Sequence, residues 1–203
     1  MNQIIIDEFT FRIPGIPSRY RPNYSKDFGC FVTGEINGMN CSEAEKAGLT
    51  RGSFVEMAIC TINQRVLTFK PHYESERFTE IWGIPVGGEM KTYFNEKHSE
   101  LSTFLINRQS QDKMKGLIEM IAESSEAYFS NIFRFEMVQS KGKYGLYYYL
   151  STTTRPIATS LEETAIKAAR EIFDANHRLN AGWCTDQQLV ENEQVSMFGL
   201  AKA

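Results

Sequence analysis

The chain lacks most of the features that would assign it quickly. Its longest early apolar run, Ile4 to Ile6, falls far short of the roughly 20 residues of a membrane helix and of the core of a secretory leader. Four cysteines, Cys30, Cys41, Cys60 and Cys184, occur without a CxxC pair, so neither a zinc ribbon nor a redox dithiol is indicated. Reduced, packed thiols in a cytoplasmic protein are expected instead. No P-loop, GxGxxG, HExxH or GxSxG pattern occurs, and His72, His98 and His177 are too dispersed for a metal centre. No cofactor is therefore expected. Basic excess is missing as well: 22 Lys and Arg stand against 25 Asp and Glu, for a net charge of -3. A long-range field that draws a protein onto duplex DNA is excluded, and any nucleic-acid site has to be a local patch. Internal repeats and low-complexity tracts are absent too.

What is present describes a folding chain. Over 203 residues, 42% hydrophobic and 12% aromatic content suffice for one hydrophobic core. The reading is a single domain over residues 1–182 followed by a polar tail, 183–203. Pro14, Pro17 and Pro22 in "FRIPGIPSRYRPNYSKDF" make the first 27 residues a loop-like arm or edge strand. "GCFVTGEI" reads as a strand. Ser42 and Glu45 resemble a capping box, with Gly48 as a helix stop.

In "RGSFVEMAICTINQRVLTFKPHY" the period of two sets Phe54, Glu56, Ala58 and Cys60 on one face and Val55, Met57, Ile59 and Thr61 on the other, with a hairpin reversal expected at Asn63 and Gln64. "RFTEIWGIP" is a third strand, ended by Pro85, Gly87 and Gly88, and "EMKTYF" a short fourth. The period then changes. Met114, Leu117, Ile118 and Ile121 have helical spacing, after a shorter helix carrying Leu101, Phe104 and Leu105, which gives a helical insertion over about 97–130. Ser160 with Glu163 predicts the cap of a final helix lined by Leu161, Ala165, Ala168, Ile172 and Leu179. The class is α+β: a Greek-key barrel or a strongly curved sheet with an inserted helical segment and a C-terminal helix.

The densest chemistry lies in "SKGKYGLYYYLSTTTRP". A reversal at Gly142 and Lys143 places Phe133, Phe135, Met137, Tyr148 and Leu150 on one face of a hairpin and Arg134, Glu136, Tyr147 and Tyr149 on the other, with Lys141 and Lys143 at the tip and Arg155 at the far end. Rings on a sheet surface stack on unpaired bases while neighbouring cations take phosphates. Tyrosine is equally a good strand former that packs beneath a helix. A second cluster, "SRYRPNYSK", interleaves Arg19, Tyr20 and Arg21 in a proline-stiffened segment.

Together, the "RGSFVEM" strand start, the helix within the strand order and the late "KGKYGLYYY" hairpin resemble the oligonucleotide-binding (OB) fold of phage and plasmid single-stranded DNA-binding proteins, across roughly residues 28–155. The resemblance implies a non-catalytic groove of aromatics and cations, carried over here to Tyr147, Tyr149, Lys141 and Lys143. Arg19, Tyr20 and Arg21 join them as expected contacts for single-stranded nucleic acid. The tail, where Asp186, Glu191 and Glu193 precede "MFGL", is similar to segments that recruit a protein partner, or else it docks on its own domain. Homo-oligomerisation is compatible with this reading; a membrane partner is not expected. Two other functions stay open. One is a structural or adaptor subunit of a phage, plasmid or defence complex. The other is a metal-dependent nuclease built on Glu89 and Lys91 in "GGEMKTYF", with Glu80 or Glu76 upstream.

Overall fold

The computed structural model describes residues 2–6, 9–13, 18–24, 29–33, 41–67, 76–89, 98–106, 126 and 129–175. Within them the protein is α+β. The strands are β1 (Asn2–Ile6), β2 (Phe9–Ile13), β3 (Ser18–Tyr24), β4 (Gly29–Thr33), β5 (Phe54–Leu67), β6 (Glu76–Gly88), β7 (His98–Glu100), β8 (Ser102–Ile106), β9 (Asn131–Gly142) and β10 (Gly145–Pro156). The helices are α1 (Cys41–Lys46) and α2 (Ser160–Ala175). No helix among the described residues is long and apolar enough to cross a membrane.

Five strands form an antiparallel sheet in the order β10-β9-β5-β6-β8, which β3 extends in parallel and β4 ends. A three-stranded sheet, β1-β2-β7, lies beside it. Two chain segments cross from one sheet to the other. β2 leads into β3, and β7 leads into β8 through the single residue Leu101, so the parallel pair that begins at Thr10 and His98 resumes at Ser18 and Ser102.

Among the described residues the large sheet is not closed by a strand ladder. Its far strand β4 nevertheless returns to the segment just before β5: the Phe31 N–H donates to the Gly52 carbonyl at 2.8 Å, and the Arg51 N–H to the Phe31 carbonyl at 2.8 Å. Phe31 is consequently buried with Val55, Met57, Ile59, Phe133, Phe135 and Leu150 on one face of the sheet. The opposite face buries Ala58, Cys60, Trp82, Ile84 and Ile132 under Ala165, Ala168 and Ile172 of α2. Apolar side chains at Val55 and Ala58 alike are needed because β5 is covered on both sides.

The alternation read from the sequence holds along β5 as far as Cys60, which is buried with Ala58. There the register slips, with Ile59 opposite Gly83 but Thr61 opposite Trp82. Cys60 is the extra residue of a bulge, which turns Thr61 to the side of Trp82 and Ile62 to that of Ile81. The expected reversal at Asn63 and Gln64 is absent, since both lie inside β5 opposite Glu80 and Thr79. Nor does Pro85 end β6. A second slip leaves Val86 unpaired between Pro85 and Gly87, and such a bulge admits a residue without a backbone donor.

Residues 101–106 are extended rather than helical. The spacing of Leu101, Phe104 and Leu105 suits a short helix as well as a strand, and pairing of β8 with β6 from Thr79↔Ile106 to Gly83↔Ser102 decides the matter. In the N-terminal arm, β3 is an interior strand between β8 and β4, with Pro22 opposite Phe31. "EMKTYF" beyond Glu89, the Met114–Ile121 helix and the tail lie outside the described residues.

Both helices carry readable caps. After α1, Gly48 has φ 69°, its N–H reaches the Glu45 carbonyl, and the Leu49 N–H reaches that of Ala44. This is a Schellman stop, with Leu49 packed over Ala44. At α2 the cap is one residue earlier than expected. The Glu162 N–H donates to Thr159 Oγ1 at 3.2 Å, and the Glu162 carboxylate accepts from the Ala158 N–H at 2.8 Å. Thr159 and Glu162, not Ser160 and Glu163, therefore form the N-terminal device.

Candidate functional site

The β9–β10 hairpin is the outer pair of the large sheet, and its faces follow from its ladder. Gly142 opposes Gly145, so Lys143 and Tyr144 are the turn residues, one position later than the sequence suggests. Sliding a two-residue loop by one position moves the register by two, which leaves every side chain on its face. Phe133, Phe135, Met137 and Leu150 are accordingly buried, with Tyr148 packed at their margin. The Tyr148 hydroxyl accepts from Gln139 Nε2 at 3.2 Å, and its ring fills the space where a Cβ on Gly29 would stand, 2.8 Å from Cδ1.

Tyr147 and Tyr149 lie on the opposite face, with ring centroids 6.2 Å apart and planes at 42°. The tilt rules out a parallel pair with a base between them, and the two rings are neighbours on one face of the strand. Tyr147 is 45% exposed and Tyr149 is half-buried. The Tyr147 ring lies over Gly142, where a Cβ would come within 3.1 Å of Cε1.

Charge separates along the hairpin. At its base Arg155 Nη2 lies 2.8 Å from Glu56 Oε2 and 2.7 Å from Glu162 Oε1, and its Nη1 donates to Glu162 Oε2 at 3.1 Å. Arg134 Nε donates to Glu136 at 2.9 Å, its Nη1 lies 3.5 Å from Glu56, and its guanidinium covers the Phe54 ring at 3.8 Å. Hydrogen bonding from Arg155 is the main influence holding the carboxyls of Glu56 and Glu162 below the usual range. In return Arg155 is held more firmly protonated, first by Glu162 and then by Glu56. With two arginines against three glutamates, the base presents no positive charge to a phosphate.

The tip is different. From Met137 to Arg155 the sequence contains no Asp or Glu, and Lys141 and Lys143 are both exposed. Lys141 opposes Leu146 and so belongs to the face opposite Tyr147 and Tyr149, whereas Lys143 is in the turn, its Nζ 5.4 Å from the Tyr144 ring centroid. Two further side chains escape a reading based on strand faces: Tyr144, 95% exposed at the apex, and Leu146, 53% exposed. Their signal was their place at a glycine-flanked turn.

Arg19, Tyr20 and Arg21 sit within β3, opposite Thr103, Phe104 and Val32 in turn. β3 and β10 approach one another, and the β3 residue paired with Gly29, which itself lies against Tyr148, is Tyr24. At about 3.3 Å per residue, Arg21 is roughly 10 Å farther along. The basic arm thus flanks the hairpin without joining its tip. The carboxylates of the nuclease reading are held apart: Glu80 is buried within β6 and Glu89 is exposed just beyond its end, and the extended run between them is several times the width of a two-carboxylate ion site. Among the described residues no three His, Cys, Asp or Glu side chains are grouped to hold a metal.

Comparison with protein-family models, with curated proteins and with solved structures found no match to this chain.

Proposed function

We propose that the protein binds single-stranded nucleic acid, DNA in the first instance, without catalysis, and that the Tyr147 and Tyr149 face of the β9–β10 hairpin is the principal contact. The observation that carries this reading is the exposed Tyr147 ring beside Tyr149 on an acid-free, lysine-bearing hairpin in a chain of net negative charge. Tyr147 and Tyr149 offer the stacking platform, Lys143 takes a phosphate, and Arg19, Tyr20 and Arg21 extend the path along β3. The return of β4 toward β5 supports an OB-like reading of the large sheet, in which such a hairpin borders the binding groove.

The test is titration of fluorescent oligothymidylate at two salt concentrations. Each base–ring stack contributes about 1 to 3 kcal/mol, so Tyr147→Ala with Tyr149→Ala is expected to weaken binding at least tenfold. Lys143→Gln is expected to reduce the slope of log affinity against log salt by about 0.7, the value for one phosphate on a single strand. Equal affinity of wild type and the tyrosine variant would remove the proposed site. An adaptor role would work through the helices and the tail, and the exposed aliphatic side chain of Leu146 suits a protein surface as well. That role gains if oligonucleotide binding is absent at low salt while deletion of residues 184–203 abolishes capture of a protein partner.

A further inference from the structure

The platform of Tyr147 and Tyr149 accounts for one face of the hairpin and leaves its apex unexplained. β9 and β10 are each 12 residues long and end in a two-residue loop between Gly142 and Gly145. With glycine at both ends, the only side chains at the apex are Lys143 and Tyr144. Tyr144 is almost wholly in solvent, with an ammonium over its ring. Leu146 stands beside Lys141 on the side away from the platform. A strand draped over Tyr147 and Tyr149 touches neither Leu146 nor both faces of the turn.

Resting on the nucleic-acid reading above, we propose that the apex is a wedge, and that the site selects the junction where a duplex opens into two single strands. In such a ligand the last base pair offers a flat end to one ring, and two strands diverge on either side of it. The hairpin matches both features. Tyr144 meets the terminal pair, Tyr147 and Tyr149 receive bases of one arm, and Leu146 with Lys141 lies against the other. Lys143 sits beside the fork, within reach of a phosphate of one diverging strand. Apolar side chains inserted at a base step are a general means of holding nucleic acid open, and the absence of Asp and Glu from Met137 to Arg155 suits a ligand with phosphates on both sides.

Three fluorescent DNAs of equal nucleotide number decide the matter: an oligothymidylate, a blunt duplex, and a fork with two oligothymidylate arms. Wild type is expected to bind the fork about tenfold more tightly than the single strand, the scale of one added base–ring stack. Tyr144→Ala is expected to abolish that preference and leave oligothymidylate affinity within about twofold, whereas Tyr144→Phe retains it because stacking does not use the hydroxyl. With 2-aminopurine in the terminal pair, the fluorescence change on binding is expected in wild type and Tyr144→Phe and lost in Tyr144→Ala. Equal binding of fork and single strand by wild type overturns the wedge and leaves the single-strand reading intact. So does an equal loss on every DNA in Tyr144→Ala, which would make Tyr144 one more stacking ring. Failure to bind any of the three removes the single-strand reading itself.

Discussion

Gly29 shows how much a single hydrogen can decide. It begins β4 at the point where that strand meets the hairpin, and a methyl group there would stand 2.8 Å from both Met137 Cβ and Tyr148 Cδ1. Neither neighbour has room to retreat, since Met137 is buried and Tyr148 is packed against the same core. Gly29→Ala is expected to cost about 1 to 3 kcal/mol as overpacking, read as a lower urea midpoint with an unchanged slope. An unchanged midpoint would mean that the approach of β4 to the hairpin is looser than described. At this scale the sequence spoke clearly wherever the period of two applied. Tyr147 and Tyr149 fall opposite Phe135 and Leu150 because loop length, rather than the site of the turn, fixes the face. Tyr144 could not be seen in that way, because a turn residue belongs to neither face.

At the scale of elements, α2 is pinned to the sheet where its first turn meets β5 and β10. Glu162 satisfies the Ala158 N–H and accepts from Arg155, which also holds Glu56. Both glutamates have folded-state pKa values depressed below those of the unfolded chain, about 4.3. The stability they contribute is therefore fully present above that pH and is lost as the pH falls through the lower, folded values. Glu162→Ala is expected to cost about 1 to 2 kcal/mol, the range for losing a helix cap, and to flatten the fall of Tm with acid below about pH 4.5. Glu163→Ala, at an exposed position, is expected to stay within about 0.5 kcal/mol. Equal effects of the two would refute the assignment of the cap. The reading from the sequence took S-x-x-E from Ser160 and passed over T-x-x-E one register earlier, which the bonds of Glu162 to Thr159, Ala158 and Arg155 select. The same limit explains β5 and β8. Asn63 and Gln64 look like turn formers and Leu101 to Leu105 like a helical turn, until pairing with β6 supplies backbone partners that local preference does not anticipate.

Across the whole molecule the α+β class, the two faces of the first half of β5 and the late hairpin were legible, because each rests on a period of two, whereas the burial of both faces of β5 came from the packing. The joining of two sheets through β2 to β3 and β7 to β8 was not, since parallel pairing between distant segments leaves no local trace. The polarity of the hairpin was half visible. Lysines at the tip could be read directly, but neutralisation of Arg134 and Arg155 depends on Glu56, far away in sequence, and on Glu162 from the helix. As a result the cationic part of the hairpin contracts from a whole face to its tip, at Lys141 and Lys143.

The bulge at Cys60 equips the molecule with a clock. The thiol is fully buried with Ala165, Ala168 and Ile172 of α2, and burial pushes its pKa far above that of a free thiol, so an alkylating reagent reaches it only during excursions that lift the helix. Cys30 lies in a separate cluster with Val32 and Ala44. With Cys41 and Cys184 replaced by serine, Glu162→Ala is expected to quicken alkylation of Cys60 more than that of Cys30, whereas equal acceleration would mean that the helix leaves the sheet only when the entire fold comes apart.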